Sequence, residues 1–261
     1  MPSINILDRE TAELIAAGEV IERPSSVVKE LVENAIDAGA TSITVEIQNG
    51  GVRLIRVTDN GCGMEEEDVP KAFLRHATSK VMTAQDLDRI GTLGFRGVAL
   101  PSICAVSKVE VLTRTPKHET GTLYQLAGET AGVLSEAGCP VGTTVTVRDL
   151  FYNVPARMKF LKKDSTEAAA VATLIDRLAL SHADIAFKLI RDRETRLVTP
   201  GSGDLLAAIY AVYGNDFAKS LIPVECAVGH LRWRAISAAL SAAAPPGAWS
   251  IFSSITDMSS A

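Results

Sequence analysis

Glu30, Glu33, Asn34 and Asp37 are spaced to fall on one stripe of a helix at 3.6 residues per turn. A solvated helix face usually mixes Lys with Glu, whereas this stripe carries three carboxylates and an amide. Like charges at this spacing repel, and Asn is a mediocre residue inside a helix. The stripe is therefore suited to a bound cation, and Glu30 and Asn34, at i and i+4, can both reach one ion or one water. A plain acidic surface is the other reading, and the helix alone leaves both open. Further on stands Asp59-Asn60-Gly61-Cys62-Gly63-Met64. A carboxylate and two glycines directly after an extended run suit a ligand that approaches the backbone closely. An Asp there can accept a hydrogen bond from an exocyclic amine such as the N6 group of adenine. Read alone, the same residues also make a tight turn.

The elements that would position these groups are legible around them. Val28, Leu31, Val32 and Ala35 form the apolar face of the first helix, which Pro24-Ser25-Ser26 starts and Gly39 stops. Thr41 to Ile47 alternates with Ile43, Val45 and Ile47 on one side, Asn49-Gly50-Gly51 turns the chain, and Val52 to Val57 is a second extended run. Asp68 to Arg75 is expected to be helical, with Val69, Phe73 and Leu74 inward and Pro70 in the first turn. Gly94 and Gly97 flank Phe95-Arg96, so consecutive N–H groups can turn toward one anion. Val98 to Val106 is apolar enough to be a helix starting just after them, where free backbone donors favour phosphate. No G-x-x-x-x-G-K-[ST] run exists, so this is not a P-loop.

Lys108 to Thr113, Gly121 to Leu126 and Thr143 to Val147 read as strands of one antiparallel sheet. Asn153-Val154-Pro155-Ala156-Arg157 is a rigid corner. Arg157, Lys159, Lys162 and Lys163 make the most basic cluster up to that point, either contacting DNA phosphates or merely solvating a helix start. Glu167 to Leu180 is a helix with Val171, Leu174, Ile175 and Leu178 at core spacing, followed by strands at Ala186–Ile190 and Arg196–Val198 around a turn. Gly201-Ser202-Gly203 is the strongest boundary signal, and Asp204 to Tyr213 begins a new helix.

With 261 residues, 47% hydrophobic and 22% charged, the chain has room for one large domain or two smaller ones. Its net charge of −5 gives no overall footprint for nucleic acid, so any such contact must be local. Cys62, Cys104, Cys139 and Cys226 are scattered, which suggests neither a zinc site nor a disulfide framework. Free thiols suit a reducing compartment. Asp8, Arg9, Glu10 and Glu13 interrupt any apolar leader, and no run approaches the ~20 apolar residues of a membrane span. A cytoplasmic protein is expected.

The order Glu-x-x-x-Asn, hairpin, Asp-x-Gly-x-Gly and glycine-rich segment resembles the ATP-binding fold shared by DNA gyrase B subunits, Hsp90 chaperones, histidine kinases and MutL proteins. Four stretches single out one branch: IAAGEVIERPSSVVKELVENAIDAGA (15–40), RHATSK (75–80), GTLGFRG (91–97) and DLFYNVPARMKFLKK (149–163). Together they look like the N-terminal ATPase of a MutL-type DNA mismatch repair protein, from Ile4 to Lys163 and more weakly to about Glu225. The resemblance implies an α+β fold, a two-layer α/β sandwich over residues 1–203, followed by a ribosomal S5-like α/β domain over 204–261. It implies Mg²⁺-dependent ATP hydrolysis, with Glu30 orienting and deprotonating the attacking water, Asn34 holding Mg²⁺ and Asp59 reading adenine. Gly63, Thr78, Lys80, Gly94, Phe95, Arg96, Gly97, Leu100 and Thr143 would complete the nucleotide pocket. It further implies a homodimer formed on ATP binding, a mismatch-recognition partner of the MutS type, mainly non-specific DNA contact, and a signal passed on to strand incision.

In the family this glycine-rich segment is the hinged lid that closes over the triphosphate, and two departures bear on it. The family pattern G-F-R-G-E-A-L is here Gly94-Phe95-Arg96-Gly97-Val98-Ala99-Leu100, and Pro101 follows, expected about one turn into the helix, where a missing N–H is costly. The second domain reads as incomplete, with an irregular tail after about Ala243, no Phe-Val-Asn-Gly-Arg signature and no basic segment whose Lys reaches the nucleotide. These features make a nucleotide-binding scaffold with weak turnover the alternative function. A histidine kinase would need a phosphoacceptor helix upstream, and a chaperone or topoisomerase would not carry Asn153-Val154-Pro155-Ala156-Arg157 after the sheet.

Overall fold

The computed structural model describes residues 17–18, 20–75, 77, 94, 97–127, 132–228, 231–238 and 252–256. Helix α1 (Pro24–Asp37) starts with Pro in its first turn, where a missing N–H costs nothing. Neither Ser25 nor Ser26 caps it: the N-cap is Arg23, and no side chain bonds the orphan amides. Packing fixes this helix instead. Val27, Val28, Leu31, Val32 and Ala35 are 0–3% exposed, and each buried Val or Leu contributes about 2 kcal/mol against about 1 for a cap.

The expected alternation holds in β1 (Ser42–Gln48), where Ile43, Val45 and Ile47 are fully buried. A short 3₁₀ turn, Asn49–Gly51, leads into β2 (Leu54–Asp59). The sheet continues through β3 (Lys108–Arg114), β4 (Gly121–Ala127), β5 (Val133–Ala137), β6 (Gly142–Arg148), β7 (Ala186–Arg191) and β8 (Glu194–Val198). Its order is β5-β4-β3-β6-β2-β1-β7-β8, antiparallel except where β1 runs parallel to β7. Strands β1 and β3 bury every second residue and leave the rest half-buried or exposed, so one face of the sheet carries the core. Helices α1, α2 (Ala99–Ala105) and α4 (Asp164–Ser181) pack against the sheet, giving the two-layer α/β sandwich that the sequence predicts. Between β6 and α4 the corner forms a single helical turn, α3 (Pro155–Met158), again with Pro in its first turn.

Two local expectations are overturned. Asp68–Arg75 is not an α-helix: it makes tight turns and a 3₁₀ turn at Lys71–Phe73, and Leu74 then goes extended. At three residues per turn Phe73 sits over Pro70 rather than over Val69, and Leu74 is 61% exposed instead of inward. Val69 alone is fully buried, while the Phe73 ring lies 5.5 Å from that of Tyr124. Strand β5 escaped the hydrophobic pattern because it is an edge strand exposed along its length, with Val133 63% exposed.

Chain contacts divide the molecule into two compact units, Met1–Gly203 and Asp204–Ala261. The second holds α5 (Leu205–Tyr213), whose first turn is capped by the Asp204 side chain accepting from Leu206 N, and α6 (Asn215–Lys219). Its sheet has the order β11-β10-β9, with β9 Leu221–Val228, β10 Leu231–Ala238 and β11 Phe252–Thr256. The tail after 243 was expected to be irregular, yet Phe252–Thr256 pairs with β10 from Arg232 to Ile236. Backbone pairing on a sheet edge needs little side-chain alternation, which is why no pattern announced it.

Candidate functional site

Asp59 is the last residue of β2 and pairs with Ile43 on one side and Thr143 on the other. Its Oδ1 accepts from Gly61 N at 2.8 Å and from Thr143 N at 3.3 Å. Burial raises the Asp59 pKa, and those two bonds oppose the rise without cancelling it. A half-buried carboxylate is thus held at the sheet end with one oxygen engaged. The turn after it is tied down twice: Asn60 Oδ1 accepts from Thr41 N and Ser42 N, both at 2.9 Å, and Cys62 N donates to Ala38 O at the end of α1.

The glycines here are required by close approach. A Cβ on Gly142 (φ +119°) would lie 2.1 Å from Asp59 O, and one on Gly63 (φ +71°) would lie 2.2 Å from Arg114 O. Thr113 closes the cradle. Its hydroxyl accepts from Met64 N at 2.9 Å, donates to Gly142 O at 3.1 Å, and lies 3.0 Å from Thr143 Oγ1, which then serves as donor. The ends of β2, β3 and β6 and the end of α1 therefore meet around Asp59.

Glu30, Asn34 and Asp37 share the half-buried stripe of α1, and Glu30 and Asn34 are separated by about 6 Å along the axis. The stripe is not purely acidic in its surroundings. Lys29, on which the sequence pattern puts no weight, reaches Glu33 at 2.8 Å and Glu30 at 3.5 Å. Burial alone would lower the Lys29 pKa, but the Glu33 bond and the Glu30 charge outweigh it and leave it raised. Glu33 is therefore charge-paired with Lys29, while Asn34 and Asp37 lie further along the stripe. Among the described residues no cluster of three or more His, Cys, Asp or Glu exists that could cage a metal. An amide and one carboxylate at helical spacing match instead the sparse protein ligation of Mg²⁺.

The glycine-rich stretch reaches this helix at one described residue: Gly94 N donates to Asp37 Oδ2 at 3.1 Å. Gly97 has φ +59° and packs against the Ala77 carbonyl. Val98 is the N-cap of α2, and Leu100 is half-buried in its first turn. Pro101 proves harmless to the hydrogen bonding, contrary to expectation. It is the third helical residue, and the first backbone bond of the turn is Ser102 N to Val98 O at 3.0 Å, so its missing N–H had no partner to lose. Thr78, Lys80, Phe95 and Arg96 lie outside the described residues.

The basic cluster divides. Lys159, Lys162 and Lys163 are exposed, but Arg157 is turned inward, with Nη1 donating to Ile21 O at 3.2 Å. Beside it opens a cavity of about 480 Å³, lined by Arg23, Arg157, Phe160, Lys162 and Glu167 among others, and sharing no residue with the Asp59 cradle. Glu167 is 1% exposed and forms a two-pronged ion pair with Arg23, at 3.0 and 3.1 Å. Sequence reasoning missed this pair. The signal was present, because Glu167 stands four residues before Val171 and so lies on the core stripe, where a carboxylate needs a partner.

Residues 21–132 match the family described as histidine kinase-, DNA gyrase B- and HSP90-like ATPases. The fold is accordingly that of an ATPase domain of this class. The DNA mismatch repair protein MutL of Agathobacter rectalis is 54% identical over 225 residues, covering 86% of this chain and 35% of that protein. MutL of Pelotomaculum thermopropionicum is 54% identical over 226 residues, covering 86% and 37%. The ATPase domain of Aquifex aeolicus MutL, solved in complex with ADP, superposes with a TM-score of 0.68 at 34% identity, covering 83% of this chain and 77% of that one. The chain belongs to the MutL family of DNA mismatch repair proteins, and it spans about a third of the length of the curated relatives it matches.

Proposed function

We propose that this chain binds ATP with Mg²⁺ and hydrolyses it to ADP and phosphate as the ATPase unit of a mismatch repair protein. The observation that carries the reading is the Asp59 carboxylate, held half-buried at the sheet end in a backbone cradle with one oxygen engaged and hydrogen-bonded through its turn to the helix that bears Glu30 and Asn34. Asp59 would accept from the adenine amine. Glu30 would orient a water and take its proton as the water attacks the terminal phosphorus, since phosphoryl transfer needs positioning more than covalent help. Asn34 would offer its amide oxygen to Mg²⁺, which neutralises phosphate charge when bound. Gly94 to Gly97 would hold phosphate through backbone N–H groups, Thr78, Lys80, Phe95, Arg96 and Leu100 would line the lid side, and Gly63 and Thr143 the adenine side. The ADP bound to the Aquifex relative supports this assignment.

The division into Met1–Gly203 and Asp204–Ala261 is taken as ATPase unit and second domain. Closure of the lid on ATP would favour a homodimer, since closure and dimerisation are linked equilibria. The family relationship supports a cytoplasmic role beside a MutS-type mismatch-recognition partner, non-specific contact with DNA, and a signal toward strand incision. No helix among the described residues is long and apolar enough to cross a membrane. The test is paired: nucleotide affinity and phosphate release for the chain, Glu30→Ala and Asp59→Ala. Glu30→Ala should bind ATP nearly normally and lose about 10²-fold or more in turnover. Equal affinity of the unaltered chain for ATP and GTP would refute the adenine assignment.

A further inference from the structure

We infer that Glu167 is a positioning residue for Glu30, acting through Arg23 on the start of helix α1. The inference rests on the nucleotide reading of the Asp59 site. Glu167 distributes three donors over two oxygens: Arg23 Nε to Oε2 at 3.1 Å, Arg23 Nη2 to Oε1 at 3.0 Å, and Lys162 N to Oε1 at 3.1 Å. The carboxylate lies on the buried stripe of α4 with Val171 and Ile175, a place where a charge is retained only if paired. A two-pronged guanidinium–carboxylate pair fixes both distance and plane, so Arg23 can neither slide nor rotate freely.

Arg23 is the N-cap of α1, and no side chain caps that end. The register of the helix therefore depends on what holds Arg23 and Pro24. Pro24 is buried against the Asn49–Gly51 turn, so tightly that a Cβ on Gly51 would lie 2.7 Å from Pro24 Cβ. The far side of that turn rests on α4, where a Cβ on Gly50 would lie 2.8 Å from Asp164 O and 3.1 Å from Glu167 Cβ. The beginning of α1 is thus wedged against a turn that α4 backs, with the Glu167 carboxylate pinning the residue before it. Two residues upstream Arg157 holds Ile21 O. Glu30 stands six residues beyond Pro24, about 9 Å along a stiff rod, so a shift at the start is carried to its carboxylate. A misplacement of about 1 Å at a reacting group can reduce a rate about 10²-fold.

The discriminating variant is Glu167→Gln, which keeps shape and the acceptor for Lys162 N but removes the charge and one acceptor for Arg23. Three quantities are read on the whole chain: phosphate release at saturating Mg-ATP, affinity for a non-hydrolysable ATP analogue, and amide hydrogen exchange over Val27–Leu31. Turnover should fall about tenfold or more while analogue affinity stays within about twofold, the signature of a lost transition-state contribution. Exchange over Val27–Leu31 should rise while that over β2 and β6 does not. Arg23→Lys, which keeps the charge and loses the fork, should reproduce both effects in part, and it decides the matter if Glu167→Gln fails to fold. Unchanged turnover beside a lower melting temperature would make the pair merely structural and overturn the inference. If the unaltered chain neither binds nor hydrolyses nucleotide, the site reading fails instead, and the absence of selective exchange over Val27–Leu31 would then sink the positioning claim independently.

Discussion

Asp59→Asn separates charge from shape. The amide keeps an acceptor for Gly61 N and Thr143 N, so the turn should survive. What is lost is the negative charge that the proposed function places against the adenine amine. A hydrogen bond to a charged group contributes about 1.5–3 kcal/mol, which corresponds to roughly 10- to 150-fold in Kd. Titration supplies the control. Burial raises the Asp59 pKa in the free chain, and under the proposed assignment the ionised form accepts from adenine, so ATP affinity should decline on acidification through that raised pKa, at a higher pH than an ordinary Asp would give. Asp59→Asn should show no such limb. Folding stability should move the other way. Because the folded-state pKa lies above the unfolded value, the ionised group disfavours the fold at neutral pH, and the penalty is relieved as pH falls through the folded pKa. Asp59→Asn without ligand should therefore be at least as stable as the unaltered chain near neutrality. Calorimetric titration with ATP across this pH range, beside urea unfolding of both proteins, tests both halves of the reasoning. An Asn variant that binds ATP equally well with the same pH dependence would refute it.

The remaining predictions concern the cradle, the lid and the basic corner. Gly142→Ala must place a Cβ against Asp59 O at φ +119°, and should lower unfolding free energy by at least about 2 kcal/mol in urea titration. Val98→Glu restores a carboxylate at the α2 N-cap and should raise phosphate release, whereas Pro101→Ala should leave it unchanged because no backbone bond is recovered; a gain from Pro101→Ala alone would contradict the geometry. Lys159→Ala with Lys163→Ala should weaken DNA binding and make its logarithmic salt dependence shallower by about 0.9 for each phosphate no longer neutralised. Arg157→Ala should leave that slope unchanged and lower the melting temperature, since its guanidinium holds Ile21 O.

The legibility of this chain tracks the physics of each segment. Where one face must be buried, the pattern carries the structure: Ile43, Val45 and Ile47 in β1, and Val28, Leu31, Val32 and Ala35 in α1, read directly. Where neither face is buried, nothing in the pattern marks the element, and β5 was invisible for that reason. Segment 68–75 failed differently. Its apolar residues suit either an α-helix or a 3₁₀ turn, and only the change from four-residue to three-residue bonding turns Leu74 outward. Pro101 turned on its position, since a proline that is costly at the fifth helical residue is free at the third.

The candidate site shows the same division between single residues and relations. Glu30, Asn34 and Asp59 were legible as residue types at telling distances. The relations that hold them were not. That Lys29 pairs more closely with Glu33 than with Glu30 depends on how one flexible amine is placed between two carboxylates. That Gly142 must lack a Cβ depends on a strand 83 positions away in sequence, the separation between it and Asp59. The Arg23–Glu167 pair joins residues 144 apart. Its one local trace is a carboxylate on an otherwise apolar stripe. A charge in such a place is a conflict between local and global preference, and it is resolved by a specific partner. Here that partner is the residue that opens the helix bearing Glu30. Burying Glu167 also links the chemistry to acid stability. Burial works to raise its pKa, but Arg23 and the Lys162 N–H prevail and lower it, so the pair contributes stability above the ordinary Glu value that is lost as pH falls through the folded pKa. On acidification the Arg23 anchor should therefore hold to a lower pH than an ordinary Glu would allow. Amide protection over Val27–Leu31 in the unliganded chain should decline as pH falls through the lowered folded pKa, and Glu167→Gln should show no such step. A step of the same size in Glu167→Gln would mean that another group governs the helix start.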